Sequence, residues 1–457
     1  MATSDLVVAL RGLVADPERV SEDHDVRAEH GRDISHHPAR SPDVVVYAAE
    51  RAEVERILAF ANERRLPLVP FGEGTSVEGN IIPSAGGITL DLSRMNEVVE
   101  VRPDDFLVRV QPGVTRISLN ERLAKDGLFF PPDPGADASI GGMVGTNASG
   151  SNAVRYGAMR HNVLGLEVVL ADGTTIKTGG LAAKSSAGYD LTRLFVGSEG
   201  TLGVVTEATL KLHRLPQFVM AARVVFPDVD AAARAALALV RSGTAFSRIE
   251  LVDEHTVRAV NAYKGTDYAE APTLFLEFGG TEVAVSGDVA IAEKLARDAG
   301  SLAFESEEDE EARSRLWEAR HHAAWAISAT EPEKKLISTD VAVPVSAMPE
   351  AILHARSVAE REGVAAIVLG HVGDGNYHAL FMVDPDDTAE VARAERITAQ
   401  IVRYALARGG TCTGEHGIGA GKIAYLREQY GPAVDVMRAL KATLDPSGIL
   451  NPGKVLG

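Results

Sequence analysis

Apolar residues recur at helical intervals over residues 51–65, where Val54, Ile57, Leu58 and Ala61 share one face. Leu66 to Pro70 then reads as a short extended run entering a glycine-rich turn. Up to Leu215 this mixed character persists, with short strands at Leu107–Val110 and Leu166–Leu170 between Gly/Asp/Asn turns. Beyond Pro216 the glycine density falls. Strands are expected at Met220–Phe226, Thr273–Gly279, Ile337–Val343 and Ala366–His371, alternating with helices at Asp228–Ser242, Val285–Ala299 and Ala347–Glu362. Such alternation predicts a sheet covered by helices and leaves the strand order open. The division that follows is an extension over residues 1–37, a first α+β domain over 38–215, a second domain over 216–405 and a C-terminal segment over 406–457. That last segment opens glycine-rich from Gly409, continues as a helix over Ala433–Leu444 and closes on Asn451-Pro-Gly-Lys454. The charge run Glu305–Glu311 reads as a solvated loop or helix end.

Length changes this picture little: 457 residues exceed what one core supports, so two or more domains are expected, with room for a large cofactor. The absence of a run of about 18 uncharged apolar residues predicts no integral membrane segment. Acidic residues interleave with Arg11, Arg19 and Arg27, unlike a targeting segment, so a cytoplasmic protein, at most peripheral to a membrane, is expected. With 46 Lys and Arg against 64 Asp and Glu the net charge is −18, which argues against nucleic acid as a partner and permits attraction to a basic electron-accepting protein. The single cysteine, Cys412, reads as a buried thiol and excludes an intrachain disulfide or a Cys-rich cluster, so any redox chemistry must come from an organic cofactor.

Three segments concentrate glycine with hydroxyl residues: Pro70-Phe-Gly-Glu-Gly-Thr-Ser-Val-Glu-Gly79, Asp133 to Gly150, and Gly197-Ser-Glu-Gly-Thr-Leu-Gly203. Glycine lets backbone N–H groups approach a ligand closely, and Ser/Thr hydroxyls add donors, which together suit a pyrophosphate. None carries the Gly-x-Gly-x-x-Gly turn of a nicotinamide site.

A second constellation is His371-Val-Gly-Asp-Gly-Asn-Tyr-His378 between two apolar runs. With residues 373–376 as the hairpin loop, His371 faces His378, near enough for both imidazoles to reach one cation. Glu415, in the glycine-rich Gly409–Gly419, makes a carboxylate available as third ligand, a set suiting Zn²⁺, Mn²⁺ or Fe²⁺. Arg320, near Trp317 and Trp325 in sequence, offers a fork to a carboxylate or forms a surface salt bridge. His24, His30, His36, His37 and His255 read as polar-surface residues, and His321 and His322 have no assigned role.

The three glycine segments resemble the FAD-binding domain of vanillyl-alcohol-oxidase-type flavoproteins. With His371–His378, Gly-Glu-His-Gly-Ile-Gly and Asn-Pro-Gly-Lys, the chain from about residue 35 to Gly453 is similar to the D-lactate dehydrogenase and glycolate oxidase flavin-subunit family, related to D-2-hydroxyglutarate dehydrogenases. The resemblance implies an α+β fold: an FAD-binding domain of that type and a substrate domain with a central antiparallel sheet. It implies FAD along Pro70, Gly72, Glu73, Gly74, Thr75, Ser76 and Gly79, along Pro134, Ser139, Gly141, Gly142, Thr146, Asn147 and Gly150, and along Glu199, Gly200, Gly203, Val204 and Asn451. The matching stretches hold no histidine or cysteine, so FAD is expected to be non-covalent, with His161 and His213 left open as attachment points. The resemblance also implies metal held by His371, His378 and Glu415, zinc foremost, His416 as base and Arg320 as carboxylate anchor, with Asn376 a turn residue and Lys422 solvated. A D-2-hydroxy acid, D-lactate favoured, is the implied substrate, and a cytochrome, quinone or electron-transfer flavoprotein the acceptor. D-2-hydroxyglutarate or glycolate oxidation and a non-catalytic FAD relay subunit are the competing readings. Ser338 stands where hydroxyglutarate-type relatives carry a lysine, although Lys334 and Lys335 could supply that charge. The sequence is compatible with a homo-oligomer and does not specify one.

Overall fold

The structure, a computed structural model, describes residues 3–457, the side chains of residues 318, 319 and 321 excepted, so His321 falls outside the described side chains. The chain forms two compact units: Met1–Ser149, Gly157–Leu215 and Glu415–Gly457 make the first, Gly150–Tyr156 and Pro216–Gly414 the second.

In the first unit the face read from the sequence forms helix Arg51–Arg64, whose Val54, Ile57, Leu58 and Ala61 are fully buried. It packs on a four-stranded sheet ordered Val20–Ser21, Val44–Tyr47, Ile88–Asp91, Leu68–Phe71, in which Val44–Tyr47 and Leu68–Phe71 both run parallel to Ile88–Asp91. A five-stranded antiparallel sheet runs Val98–Arg102, Leu107–Val110, Val204–Lys211, Val163–Val169, Thr175–Gly179. The N-terminal residues are part of this packing rather than an extension from it, because helix Thr3–Arg11 places Leu6, Val7 and Leu10 in the core that holds Val46 and Ile57. His30, read as a surface residue, is buried between Val26 O and the Asp91 carboxylate, each 2.8 Å from a ring nitrogen.

Glu53, fully buried, accepts from Ala15 N and Ala49 N at 2.8 Å each and from both terminal nitrogens of Arg19. Burial opposes its ionisation, but these donors outweigh burial and hold its pKa at about 2 against 4.5. A depressed folded-state pKa stabilises above the unfolded value and loses that contribution as the pH falls through the folded one. Glu53→Gln should therefore have a lower denaturation midpoint at pH 7, with the gap to the parent closing between about pH 4.5 and 2. A gap independent of pH would show that the Glu53 charge is not what stabilises.

The second unit is built on a single eight-stranded antiparallel sheet, ordered Ala303–Glu307, Phe218–Val225, Thr273–Gly280, Phe246–Val252, Ile367–Gly370, Asn376–Val383, Lys335–Ser338, with Val341–Ala342 also paired to Asn376–Tyr377. Helices Val229–Arg241, Glu282–Asp298 and Met348–Arg361 cover it with small apolar stripes such as Ala232, Ala236 and Leu239. Three elements differ from the pattern reading. Phe246–Val252 is a central strand although polar Ser247, Arg248 and Glu250 interrupt its apolar run. The strand expected over Ile337–Val343 breaks at Thr339–Asp340. Part of the charge run is an edge strand, with Glu305 paired to Arg223 at 2.7 Å. Among the described residues no helix is long and apolar enough to cross a membrane.

Candidate functional site

Two histidines of the second unit converge as the hairpin argument requires, but in another register. Leu369 lies opposite His378, so His371 sits just beyond the strand end and diagonal to His378 rather than facing it. Asn376 causes the shift. It is no turn residue but the buried first residue of its strand, donating to Asp340 Oδ1 and to Val341 O at 2.9 Å each. Because side chains alternate with period two, a slip of two residues keeps both imidazoles on one face. Their rings lie edge to face with centroids 5.7 Å apart.

The neighbours of these rings decide what they can bind. His371 Nδ1 lies 2.7 Å from Glu250 Oε1, and His378 Nδ1 lies 3.0 Å from Thr339 O. Both partners are acceptors, which puts the proton on Nδ1 and the lone pair on Nε2, the atom a cation takes. The donor set thus fits a divalent metal, with Glu250 and the Thr339 carbonyl fixing the orientation of the two imidazoles.

Glu250 does more than orient His371. Its other oxygen accepts from Arg320 Nε at 3.0 Å and Nη2 at 2.7 Å, so one fully buried carboxylate joins the arginine and the histidine. Burial raises its pKa, and the neighbouring His371 and Arg320 more than reverse that, keeping it below the usual range. Arg320 is therefore no surface salt bridge: it is largely buried, and Glu250 takes its Nε and Nη2 atoms. Asp340, also fully buried, is a second hub, accepting from Asn376, from Thr413 Oγ1 at 2.7 Å and from Gly414 N at 2.9 Å. Lys334 does not supply a spare cation, since Glu331 and Glu390 hold it at 3.0 and 3.6 Å.

In the first unit Pro70 and Phe71 end a strand, and Gly72, Glu73, Gly74, Thr75 and Ser76 follow as a loop. Ser139 caps helix Ile140–Thr146 through Gly142 N, and Asn147 closes it in the left-handed region with its side chain on Arg160 N. Several cofactor-segment glycines are required by protein packing: a Cβ on Gly72 would collide with Ser139 Oγ, on Gly141 with Pro112, on Gly200 with Pro70 and on Gly203 with Val168, where the chain enters strand Val204–Lys211. Gly142 and Gly145 differ. A Cβ there meets only the Ser139 cap at 3.2 Å or Glu199 Cα at 3.8 Å, so that helix face is bare backbone that a ligand can approach. Pro134 and Gly79 lie in the loops of the same unit, while Gly150 opens the segment assigned to the second. Asn451 is 2% exposed; its Nδ2 donates to Asn80 O and Glu199 O, and its Oδ1 has no hydrogen-bond partner within the protein. A buried orphan acceptor fits a hydroxyl or imide N–H such as a flavin nucleotide carries.

Glu415 and His416 open the last segment of the first unit. Near them Lys422, expected to be solvated, is 5% exposed and paired to Glu78 at 2.7 Å, and Glu78 Oε1 is 3.7 Å from His416 Nδ1. Lys454 is buried against Ile82 O at 2.6 Å, and burial lowers its pKa to about 8. Sequence reasoning missed Glu78, Asn80, Glu199 as a side-chain hub, and Glu250; for Glu250 the available signal was a lone carboxylate between Ile249 and Leu251.

Comparison with known proteins matches residues 215–455 to the C-terminal domain of FAD linked oxidases and residues 42–179 to an FAD binding domain. A probable mitochondrial D-lactate dehydrogenase of Danio rerio is 48% identical over 100% of this chain and 92% of its own length. An Arabidopsis thaliana mitochondrial D-lactate dehydrogenase [cytochrome] is 43% identical over 99% and 80%, and Bacillus subtilis glycolate oxidase subunit GlcD 35% identical over 97% and 95%. Among solved structures, 4-ethylphenol oxidase from Gulosibacter chungangensis superposes with a TM-score of 0.82 at 19% identity, covering 99% of this chain and 96% of that one. p-Cresol methylhydroxylase gives 0.77 at 18%, covering 99% and 96%. The fold is thus that of vanillyl-alcohol-oxidase-type flavoproteins, α+β throughout.

Proposed function

Because the chain belongs to the family of FAD-linked oxidases, we propose that it oxidises a D-2-hydroxy acid, D-lactate foremost, to the 2-oxo acid and delivers electrons to an acceptor other than NAD. The observation that carries this reading is the Glu250 carboxylate, which joins an arginine able to bind a substrate carboxylate to an imidazole able to bind a metal. A 2-hydroxy acid presents the matching pair, a carboxylate next to a hydroxyl.

His371 and His378 would hold a divalent metal through Nε2, with Glu415 as third ligand; Glu415 is bonded to Gly414, whose N–H is fixed by the same Asp340 that holds Asn376. Zinc fits these ligands best, with manganese or iron as alternatives. A bound FAD would supply the acceptor for the α-hydrogen and its electron pair, and a metal at the two histidines would supply polarisation of the substrate hydroxyl. Arg320 grips the carboxylate and fixes which face of the α-carbon is presented. His416 accepts the hydroxyl proton, for which an imidazole is suited near neutral pH. In this reading the FAD is dissociable, and the bare Gly142–Gly145 face and Asn451 would hold it. A cytochrome is the favoured acceptor, following the name of the Arabidopsis relative, with a quinone or electron-transfer flavoprotein as alternatives. A monocarboxylate is favoured over hydroxyglutarate because Ser338 is uncharged and Lys334 is spent on two glutamates. Glycolate fits the same groups.

Anaerobic mixing of the yellow protein with D-lactate, glycolate, D-2-hydroxyglutarate and D-mandelate tests the proposal. D-lactate should bleach the flavin fastest and D-2-hydroxyglutarate slowest. Bleaching by none of the four would favour an FAD relay subunit instead.

A further inference from the structure

The segment Glu415-His-Gly-Ile-Gly-Ala-Gly421 contains no helix or strand, and Gly417 and Gly419 sit at φ of 82° and 51°. Much of what holds the backbone that carries His416 comes from other parts of the unit. Three groups contribute. Glu199 accepts from Ile418 N at 2.6 Å and from Gly419 N at 2.9 Å, Asn80 Nδ2 approaches His416 O at 3.4 Å, and Glu78 O accepts from Ala420 N at 2.9 Å. Asn80 is itself held to Glu199 at 2.7 Å, so the Glu199 carboxylate is the centre of the arrangement.

Glu199 is an unusual residue for its place. It belongs to the turn Gly197-Ser-Glu-Gly200 and has a φ of 52°, where glycine is at ease and a side chain is strained. Its carboxylate is also buried, which pushes its pKa up. Glycine would avoid both penalties. What only the glutamate supplies is the acceptor pair for Ile418 and Gly419, and its backbone is anchored meanwhile to Gly145 O at 2.8 Å and to Asn451 Nδ2 at 2.8 Å. The same Gly145 and Asn451 belong to the surface fitted for the flavin.

We infer that Glu199 is a positioning residue: it fastens the segment bearing Glu415 and His416 to the flavin-binding loops, so that the proton acceptor is set relative to the cofactor. The inference rests on the proposed role of His416. It is distinct from cofactor binding, because the carboxylate is occupied by protein donors.

The informative variant is Glu199→Gly, which relieves the positive φ and removes only the strap, with Glu199→Gln as the variant that retains one acceptor. In the holoenzyme, hydrogen exchange at Ile418 and Gly419 should accelerate about 100-fold or more in Glu199→Gly, a readout that needs no substrate. Flavin content and visible spectrum should stay at the parent level, while flavin reduction at saturating D-lactate falls on the order of 100-fold and half-saturation shifts less than threefold, since small misplacement costs rate more than binding. Glu199→Gln should recover part of both effects. Unchanged exchange at Ile418 and Gly419 overturns the strap. Faster exchange with undiminished reduction, or a loss of reduction that merely tracks lost flavin, overturns the positioning role. A parent protein that no 2-hydroxy acid bleaches would instead fail the proposed function, with the exchange result still deciding the strap.

Discussion

Replacing His416 with alanine is expected to leave the protein yellow and metal-loaded while slowing flavin reduction by D-lactate about 10²–10⁴-fold, the usual contribution of a placed general base. That corresponds to about 3–5 kcal/mol of transition-state stabilisation, at about 1.4 kcal/mol per tenfold. Cofactor retention is expected because the described contacts at residues 416, 418, 419 and 420 run through the backbone, which the substitution leaves in place. The neighbouring Glu78–Lys422 pair at 2.7 Å should survive the substitution, since neither of its atoms belongs to His416. Single-turnover reduction at the parent rate would remove His416 from the mechanism. Loss of yellow colour would show that the ring itself is part of the cofactor cradle.

How much of this could be read beforehand depends on how far apart in sequence the interacting groups lie. The glycine segments were legible because a close backbone approach demands glycine whatever surrounds it, although the structure assigns Gly72, Gly141, Gly200 and Gly203 to loop packing and leaves Gly142 and Gly145 for a ligand. The two histidines were legible because hairpin parity survives a register error of two. The register itself was not, since Asn376 is pulled into its strand by Asp340, 36 residues away.

Glu250 was hidden for the same reason on a larger scale. Its partners lie 70 and 121 residues distant, and its strand looks too polar to be central. A buried carboxylate is costly unless paired, so its presence between Ile249 and Leu251 foretold partners without identifying them. Helix Thr3–Arg11 went unrecognised because three buried residues in nine make a weak pattern until the sheet they cover is known. Glu199 was visible as the lone charge in its glycine turn, and only the fold showed that its donors are Asn80 and backbone groups 219 and 220 positions on.

His371→Ala should reduce bound metal from about one equivalent to below about a tenth while leaving flavin content unchanged, because it removes one of the three proposed ligands and lies outside the cofactor segments in sequence. Flavin reduction should fall at least 10³-fold. Part of that loss is not ligation. With His371 gone, Glu250 keeps Arg320 as its only side-chain partner in the described contacts, and the guanidinium becomes free to settle onto both carboxylate oxygens and withdraw from substrate. Glu250→Gln separates the two effects. It leaves both imidazoles in place, so metal affinity should fall only about 10–100-fold, the range for losing an outer-shell partner, and saturating zinc or manganese should restore occupancy. Occupancy restored with the half-saturation concentration for D-lactate still raised would assign the remaining defect to Arg320. Full metal content in His371→Ala with undiminished activity would sink the histidine clamp, and with it the assignment of Glu415 as third ligand.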